Sequence, residues 1–288
     1  MPYSRGSALE NSVGIVGLGK VGKSLAYNFI KRGFRVYAST HKPLSVDSKN
    51  RLSGIEVVST EEIPTHTKIV FLAVEDHKIE EAFYEMKDGL TGGHLVIVLS
   101  GAFDIKKLMV EGPCIVRAHP VRAFKEDEFS DIGNTIFVIE GTYGVDLLKE
   151  VIECLNCRYI EFKGDFRLYH ASLVFVSNFI FSLYKEGEEM LTEAGFTDEN
   201  TIKEILITLM KNAVENIEKA DIFGLTGPVE RNDTETVLSH LEAIKNEDTR
   251  LLYALLSLKL LDIAKKKYPC NNYREIEAIL RGAMWKKE

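Results

Sequence analysis

Gly17, Gly19 and Gly22 form a GxGxxG turn inside VGIVGLGKVGKSLAYNFIKRGFRVYAST, a segment that reads strand, turn, helix, strand. The first glycine permits a tight turn, the second admits a pyrophosphate to the backbone, and the third lets helix and strand pack closely. A helix starting near Lys20 then aims its unpaired N–H groups at the phosphates. Gly17, Leu18, Gly19, Lys20, Val21 and Gly22 are the expected phosphate contacts. Nucleotide binders that hold a ribose diol place Asp or Glu at the end of the second strand. That strand ends here in Ala38-Ser39-Thr40-His41-Lys42, without a carboxylate. Hydroxyls beside a Lys and a His suit a 2′-phosphate instead, so NADP(H) is expected over NAD. The alternative is that His41 and Lys42 are solvated loop residues.

Two further strand ends bear on the same edge. VFLAV gives Ala73 and Val74, and IVLSG gives Ser100 and Gly101, where a missing Cβ permits close approach of a nicotinamide ribose. The run Ile115-Val116-Arg117-Ala118 leads to His119-Pro120. Histidine exchanges protons near neutral pH, so His119 is a candidate general acid or orienter; the alternative is a histidine fixing a turn enforced by Pro120. His170 opens a long apolar helix and is the second candidate. Asn178 lies roughly 80° round that helix from the face of His170, Val174, Ser177 and Phe181. A buried Asn needs partners, either another helix or a substrate. His41, His66, His77 and His94 read as loop or helix-start residues facing solvent.

GLTGPVERND (224–233) is an unusual segment in a helical half. Gly224, Gly227 and Pro228 shape the turn, and Asn232 with Glu235 has the spacing of a capping box. Thr226 and Arg231 remain, and an arginine beside a positive helix end is a seat for a carboxylate or phosphate.

The elements that must position these residues fall into two rhythms. Apolar runs at Ser12–Gly17, Phe34–Thr40, Ile69–Val74, His94–Leu99, Cys114–Ala118, Thr135–Ile139 and Arg158–Phe162 alternate with helical stretches such as Lys20–Arg32 and His77–Met86. Such alternation predicts an α/β fold, a parallel doubly wound sheet. From Phe166 the pattern is helical only. A nearly all-apolar helix is expected over 166–194, with 171–184 too short to span a bilayer and read as a buried core helix. Ile202, Leu206, Leu209, Ala213 and Ile217 recur at helical steps. Two further helices are expected over 248–267 and 272–286. The expected organisation is a flexible tail over 1–11, a dinucleotide-binding domain over 12–164 and an all-α C-terminal domain over 165–288. Helices 166–194 and 248–267 carry more apolar surface than a small bundle hides, which predicts a homodimer through the helical domain.

The 288 residues are 45% hydrophobic and 27% charged with net charge −7, and no dense Lys/Arg cluster suggests a nucleic-acid face. The start has no apolar h-region, so a cytoplasmic protein without a membrane partner is expected. Cys154 and Cys157 form a CxxC without a second Cys/His pair; no metal is expected, and both cysteines read as structural.

GLGKVG, His119-Pro120, YHAS at 169–172, SN at 177–178 and LTGPVERND at 225–233 together resemble the Rossmann-like, provisionally assigned NADP oxidoreductases with a helical C-terminal domain of unassigned function. These are distant kin of pyrroline-5-carboxylate reductase, ketopantoate reductase and the β-hydroxyacid dehydrogenases. The resemblance runs from about residue 12 to 250. It implies a Rossmann-type NADP-binding domain and a dimer built on the helical half, and it supplies no substrate. The family usually shows Arg-Gly-Asp where this chain has Arg231-Asn232-Asp233. His170 is the polar group nearest the position of the β-hydroxyacid dehydrogenase lysine. The resulting expectation is a reductase of a small C=O or C=N compound bearing an acidic group, acting in a cleft between the domains. His119 or His170 would supply the proton, and Asn178, Thr226 and Arg231 would hold substrate. The alternative is an NADP(H) sensor that catalyses nothing. A deazaflavin-linked NADP reductase is a third reading, from the first domain only.

Overall fold

The computed structural model describes residues 11–108, 110–125, 129 and 131–285. Residues 1–10 of the expected tail lie outside the described residues. The chain folds as two compact units, the first ending at Ser177 and the second beginning at Asn178.

The first unit is built on an eight-stranded sheet. Its strands are β1 (Ser12–Val16), β2 (Arg35–Ser39), β3 (Ile55–Val57), β4 (Ile69–Leu72), β5 (Leu95–Val98), β6 (Cys114–Pro120), β7 (Ile136–Glu140) and β8 (Arg158–Glu161), ordered 3-2-1-4-5-6-7-8. Order reverses at β1, the topological switch point of a doubly wound sheet. The expected parallel sheet is corrected in one place: β6 and β7 are antiparallel. The described residues of their connection form no helix, and a helix is the usual crossover between parallel neighbours. Strand β3 was not expected; three residues leave little alternation to read.

Alternation along each strand feeds two cores. Ile69 and Phe71 of β4, with Ile15 of β1 and Ile97 of β5, pack with Leu25 and Phe29 of helix α1 (Lys20–Lys31). Val70 and Leu72, one residue out of step, pack with the opposite cluster, beside Ile63 of α3 (Ile63–His66) and Phe83 of α4 (Ile79–Met86). A period of two splits one apolar run between two faces, so continuous runs such as IVFL are needed rather than alternating ones. Helices α2 (Val46–Arg51), α5 (Val145–Cys154) and α6 (Phe166–Ser177) complete this unit.

The second unit contains α7 (Phe179–Glu193), α8 (Glu199–Ala220), α9 (Thr234–Ala243), α10 (Glu247–Lys267) and α11 (Arg274–Trp285). Val237, Leu241, Ala254, Leu261, Ile276 and Leu280 form its core, all from the last three helices. The single helix expected over 166–194 is two, α6 and α7, broken at Asn178. The Ser177 hydroxyl donates to the Leu173 carbonyl, a back-bond that bends helices. Nor is this stretch a buried core helix: Phe175, Val176 and Phe181 are exposed. The run Phe166–Glu193 is long and apolar enough to cross a bilayer by length and composition alone, and only 6% of its apolar 18-residue window is buried. In α8, Ile202 is buried, while Leu209 and Ile217 of the expected stripe are exposed.

Candidate functional site

The register of the parallel strands brings the glycine turn and the first histidine to one sheet edge. Val16 pairs with Leu72, Leu72 with Val98, and Val98 with Arg117. One to three residues further on, Gly17, Ala73, Ser100, Gly101 and His119 therefore follow one another along the carboxyl ends, where open α/β sheets hold ligands.

The glycine turn has the shape expected of it. Gly17 has φ +95, and a Cβ there would stand 2.7 Å from Val74 Cγ1 and 2.8 Å from the Ala73 carbonyl oxygen. A Cβ at Gly22 would overlap the Gly17 carbonyl oxygen, so α1 can pack this close only through glycine. At Gly19 a Cβ would meet nothing within 4 Å. That open space lies at the start of α1, whose first turn carries no acidic residue and whose N-cap, Gly19, offers no side chain. Uncapped N–H groups with free access fit a dinucleotide pyrophosphate.

Beyond β2 the arrangement differs from the expectation in detail. Ser39 is buried, and its Oγ accepts from the Thr60 hydroxyl at 3.0 Å. Thr40 Oγ1 donates to the Lys42 carbonyl and accepts from the Lys42 N–H, closing a small turn. His41 and Lys42 are exposed. Gly17, Ser39, His41 and Val74 line a small recess with Lys78, Glu81, Ala82 and Glu85. Lys78 was missed by sequence reading, since a lysine three residues after Glu75 looks like an ordinary helix-start pair.

The histidines converge. His119 Nδ1 is 2.8 Å from the Tyr169 hydroxyl, and the His119 and His170 rings stand edge to face with centroids 5.8 Å apart. Gly101 separates them: a Cβ there would be 2.7 Å from His170 Nδ1 and 3.0 Å from His119 Nε2. His170 Nδ1 is buried with no hydrogen-bond partner among the described residues. Burial, then the neighbouring His170 and Arg117, push His119 down to about 4, so it is neutral at pH 7. Burial pushes Tyr169 up to about 12, so its phenol stays protonated.

Pro120 enforces no sharp turn, which removes that alternative for His119. Strand β6 runs through it, pairing His119 with Val138 and Pro120 with Phe137. Past Arg117 the strand has left β5 behind, so a residue without an N–H costs no ladder bond on that side. Arg117, also missed, locks the corner beneath the histidines. It is 2% exposed and donates to the Ser100 carbonyl (2.8 Å), the Phe103 carbonyl (2.6 Å) and Glu140 (3.1 Å), with its guanidinium 3.9 Å over the Phe166 ring. Burial holds its pKa below the usual arginine value. Ser100 Oγ accepts from the Ala102 and Phe103 N–H groups, so it shapes this turn. An arginine inside an apolar strand, and the tyrosine in YHAS, were the available signals.

The expected solvated histidines are corrected at His94, which is 6% exposed. Its Nδ1 accepts from the Thr91 N–H and its Nε2 donates to the Pro64 carbonyl, tying two loops together. The expected cap is corrected too. Asp233, not Asn232, caps α9 by accepting from the Thr236 N–H, and Asn232 sits at φ +59. Thr226 and Arg231 are exposed in the second unit. Asn178, expected to be buried, is exposed as well, at a helix break rather than inside a helix. The CxxC thiols are buried and donate to the Val151 and Ile132 carbonyls, with burial raising Cys154 to about 12 and Cys157 to about 11. Thiols so hard to ionise are poor nucleophiles at neutral pH.

A glycine phosphate turn at the switch point of a doubly wound sheet defines a dinucleotide-binding domain, here followed by a helical unit. Residues 12–100 match the family described as NADP oxidoreductase coenzyme F420-dependent, and residues 135–260 match the one described as Domain of unknown function (DUF2520). These matches bear out the resemblance read from the motifs, and the first agrees with the NADP(H) and oxidoreductase expectations. No curated protein matches the chain significantly. Among solved structures, a Bacteroides fragilis protein provisionally described as an NADP oxidoreductase is 20% identical, with TM-score 0.72 over 87% of this chain and 98% of that one. A Thermotoga maritima protein is 24% identical, with TM-score 0.68 over 88% and 99%. Plasmodium falciparum pyrroline carboxylate reductase, solved with NADP bound, is 18% identical, with TM-score 0.58 over 88% and 98%. At these identities the likeness is one of fold.

Proposed function

We propose that the chain is an NADP(H)-dependent reductase of a small C=O or C=N compound bearing an acidic group. One observation carries this reading: the open, uncapped start of α1 and the His119–Tyr169–His170 cluster lie at carboxyl ends of the same sheet. In this reading residues 17–22 hold the pyrophosphate, and His41 and Lys42 face the 2′-phosphate. Ala73, Val74 and Gly101 border the nicotinamide half. The cofactor, when bound, supplies a hydride. The chain's own residues orient the substrate and exchange one proton, through His119 or His170. His119 does so as a neutral N–H rather than an imidazolium. Thr226, Arg231 and Asn178 are the proposed substrate contacts, with the acid group on Arg231. We assign residues 165–288 to substrate binding and to a homodimer.

Calorimetric titration with NADPH and NADH, followed by NADPH oxidation against a panel of small keto acids and cyclic imino acids, tests this. NADPH should bind more tightly, and at least one class should be turned over. Equal affinities would remove the 2′-phosphate argument. The second reading, an NADP(H) sensor, is favoured by the absence of a charged acid at His119. It expects tight NADPH binding, no turnover and a change in assembly between NADPH and NADP.

A further inference from the structure

We infer that Tyr169 is a positioning residue: its hydroxyl donates to His119 Nδ1 and so fixes the imidazole with its proton on Nε2, facing Gly101 and His170. This rests on the reading of His119 as a group that meets substrate, and adds what decides which of its nitrogens carries the proton.

The geometry leaves one consistent assignment. The hydroxyl and Nδ1 are 2.8 Å apart, and a neutral imidazole has one donor and one acceptor nitrogen. If Nδ1 carried the proton, the phenol would accept it and its own O–H would need another acceptor. No other acceptor for it exists among the described residues, and an unmade bond at a partly buried hydroxyl is costly. With the phenol donating, both groups are satisfied and Nε2–H is left for the far side of the ring. That side is where a Cβ on Gly101 would come within 3.0 Å of Nε2 and 2.7 Å of His170 Nδ1. The His119 Nε2–H and the unpartnered His170 Nδ1 thus border the same small space, kept open by a glycine. The Tyr169 ring does not depend on its hydroxyl for its place. Phe162 and Phe166 pack against it with centroids 5.7 and 5.4 Å away. Tautomers are assigned from such networks, so the assignment is open to direct measurement.

The full chain labelled with ¹⁵N-histidine, without cofactor at pH 7, is read by long-range ¹H–¹⁵N correlation. The His119 signals are identified by their loss in His119→Gln. We expect a protonated Nε2 and a bare, hydrogen-bonded Nδ1. In Tyr169→Phe the Nδ1–H tautomer should become populated, so the averaged Nδ1 signal moves upfield and the Nε2 signal downfield, toward each other. A wild-type spectrum with the proton on Nδ1 overturns the inference, even if the variant does not fold. So does a Tyr169→Phe spectrum identical to wild type. NADPH titration of both proteins keeps the two ideas apart. Failure of wild type to bind NADPH sinks the reductase reading and leaves the tautomer result standing. Equal NADPH affinity in the variant, with an altered tautomer, is the expected pair.

Discussion

Strand β4 and helix α7 are both apolar runs, yet they meet opposite fates. Every residue of β4 is buried, divided between two cores by the two-residue period. Helix α7 buries none of its fifteen residues, and Phe181 is 75% exposed. Around its sheet the first unit closes its apolar surface with its own helices, while Phe175 and Val176 of α6 stay exposed. The second unit does so only over α9 to α11 and leaves α7 and most of α8 uncovered. Apolar pattern states what must be buried; it does not state whether the covering surface belongs to the same chain.

The largest effect should come from breaking the self-sufficient side. Arg117→Met removes three hydrogen bonds and strands the Ser100 and Phe103 carbonyls. Removing one partner of a buried ion pair costs about 3–5 kcal/mol. The lower end is expected, since the Glu140 side chain is 27% exposed. Urea unfolding measures it, and a loss under about 1 kcal/mol, the net worth of a single ordinary hydrogen bond, would mean that the corner is held by something else.

On the uncovered side, the proposed homodimer should respond to a change that the single chain would tolerate. Phe181→Asp should weaken dimerisation by about 2–4 kcal/mol, the range for a central interface aromatic. Light scattering of wild type should give twice 32.5 kDa. A wild-type monomer at micromolar concentration would leave α7 needing a different cover. Arg231→Ala should weaken binding of a carboxylate-bearing substrate by about 1.5–3 kcal/mol, with NADPH affinity unchanged. Arg231→Lys should recover only part of that loss, because an ammonium lacks the two-pronged contact.

A smaller effect separates the histidines. The folded pKa of His119, about 4, lies below its ordinary value of 6.5, so the folded state binds fewer protons there. Its contribution to stability is complete above pH 6.5 and is lost as pH falls toward 4. About 1–2 kcal/mol is expected after allowing for partial exposure. Comparing unfolding of wild type and His119→Gln across this pH range isolates it. Parallel curves would show that the imidazole is better solvated than its surroundings imply.

Legibility followed the range of the interaction. Gly17, Gly19 and Gly22 were readable because a phosphate turn is local, and the central strands were readable because burial on both faces forces apolar runs such as IVFL and LVIV. The third strand was too short to show a pattern. Tyr169 and Arg117 were not readable as site residues. Their partners, His119 and Glu140, lie 50 and 23 residues away in sequence; strand register brings Arg117 to Glu140, and the start of α6 brings Tyr169 to His119. The exposure of α7 could not be read at all, because amphipathic spacing is the same whichever chain covers it.

The smallest effect concerns a helix cap that lies one residue from its expected place. Asn232, Asp233 and Glu235 fit a capping box starting at Asn232, yet Asp233 makes the cap. The reason is the backbone: Asn232 has φ +59, a left-handed conformation in which Asn is tolerated and most residues are strained. The resembling family's glycine at this place would adopt the same conformation without strain. Asn232 also donates from Nδ2 to the Asn272 carbonyl at 3.1 Å, joining the loop to the approach of α11. Asn232→Gly trades that exposed bond for a relaxed backbone and should change stability by no more than about 0.5 kcal/mol. Asn232→Ala loses the bond and keeps the strain, and should cost about 1–2 kcal/mol. Thermal unfolding of both variants measures the difference. If alanine were as stable as glycine, strain at 232 would not be what shifts the cap. The second unit would then be less firmly determined by its own chain at this loop than its small core implies.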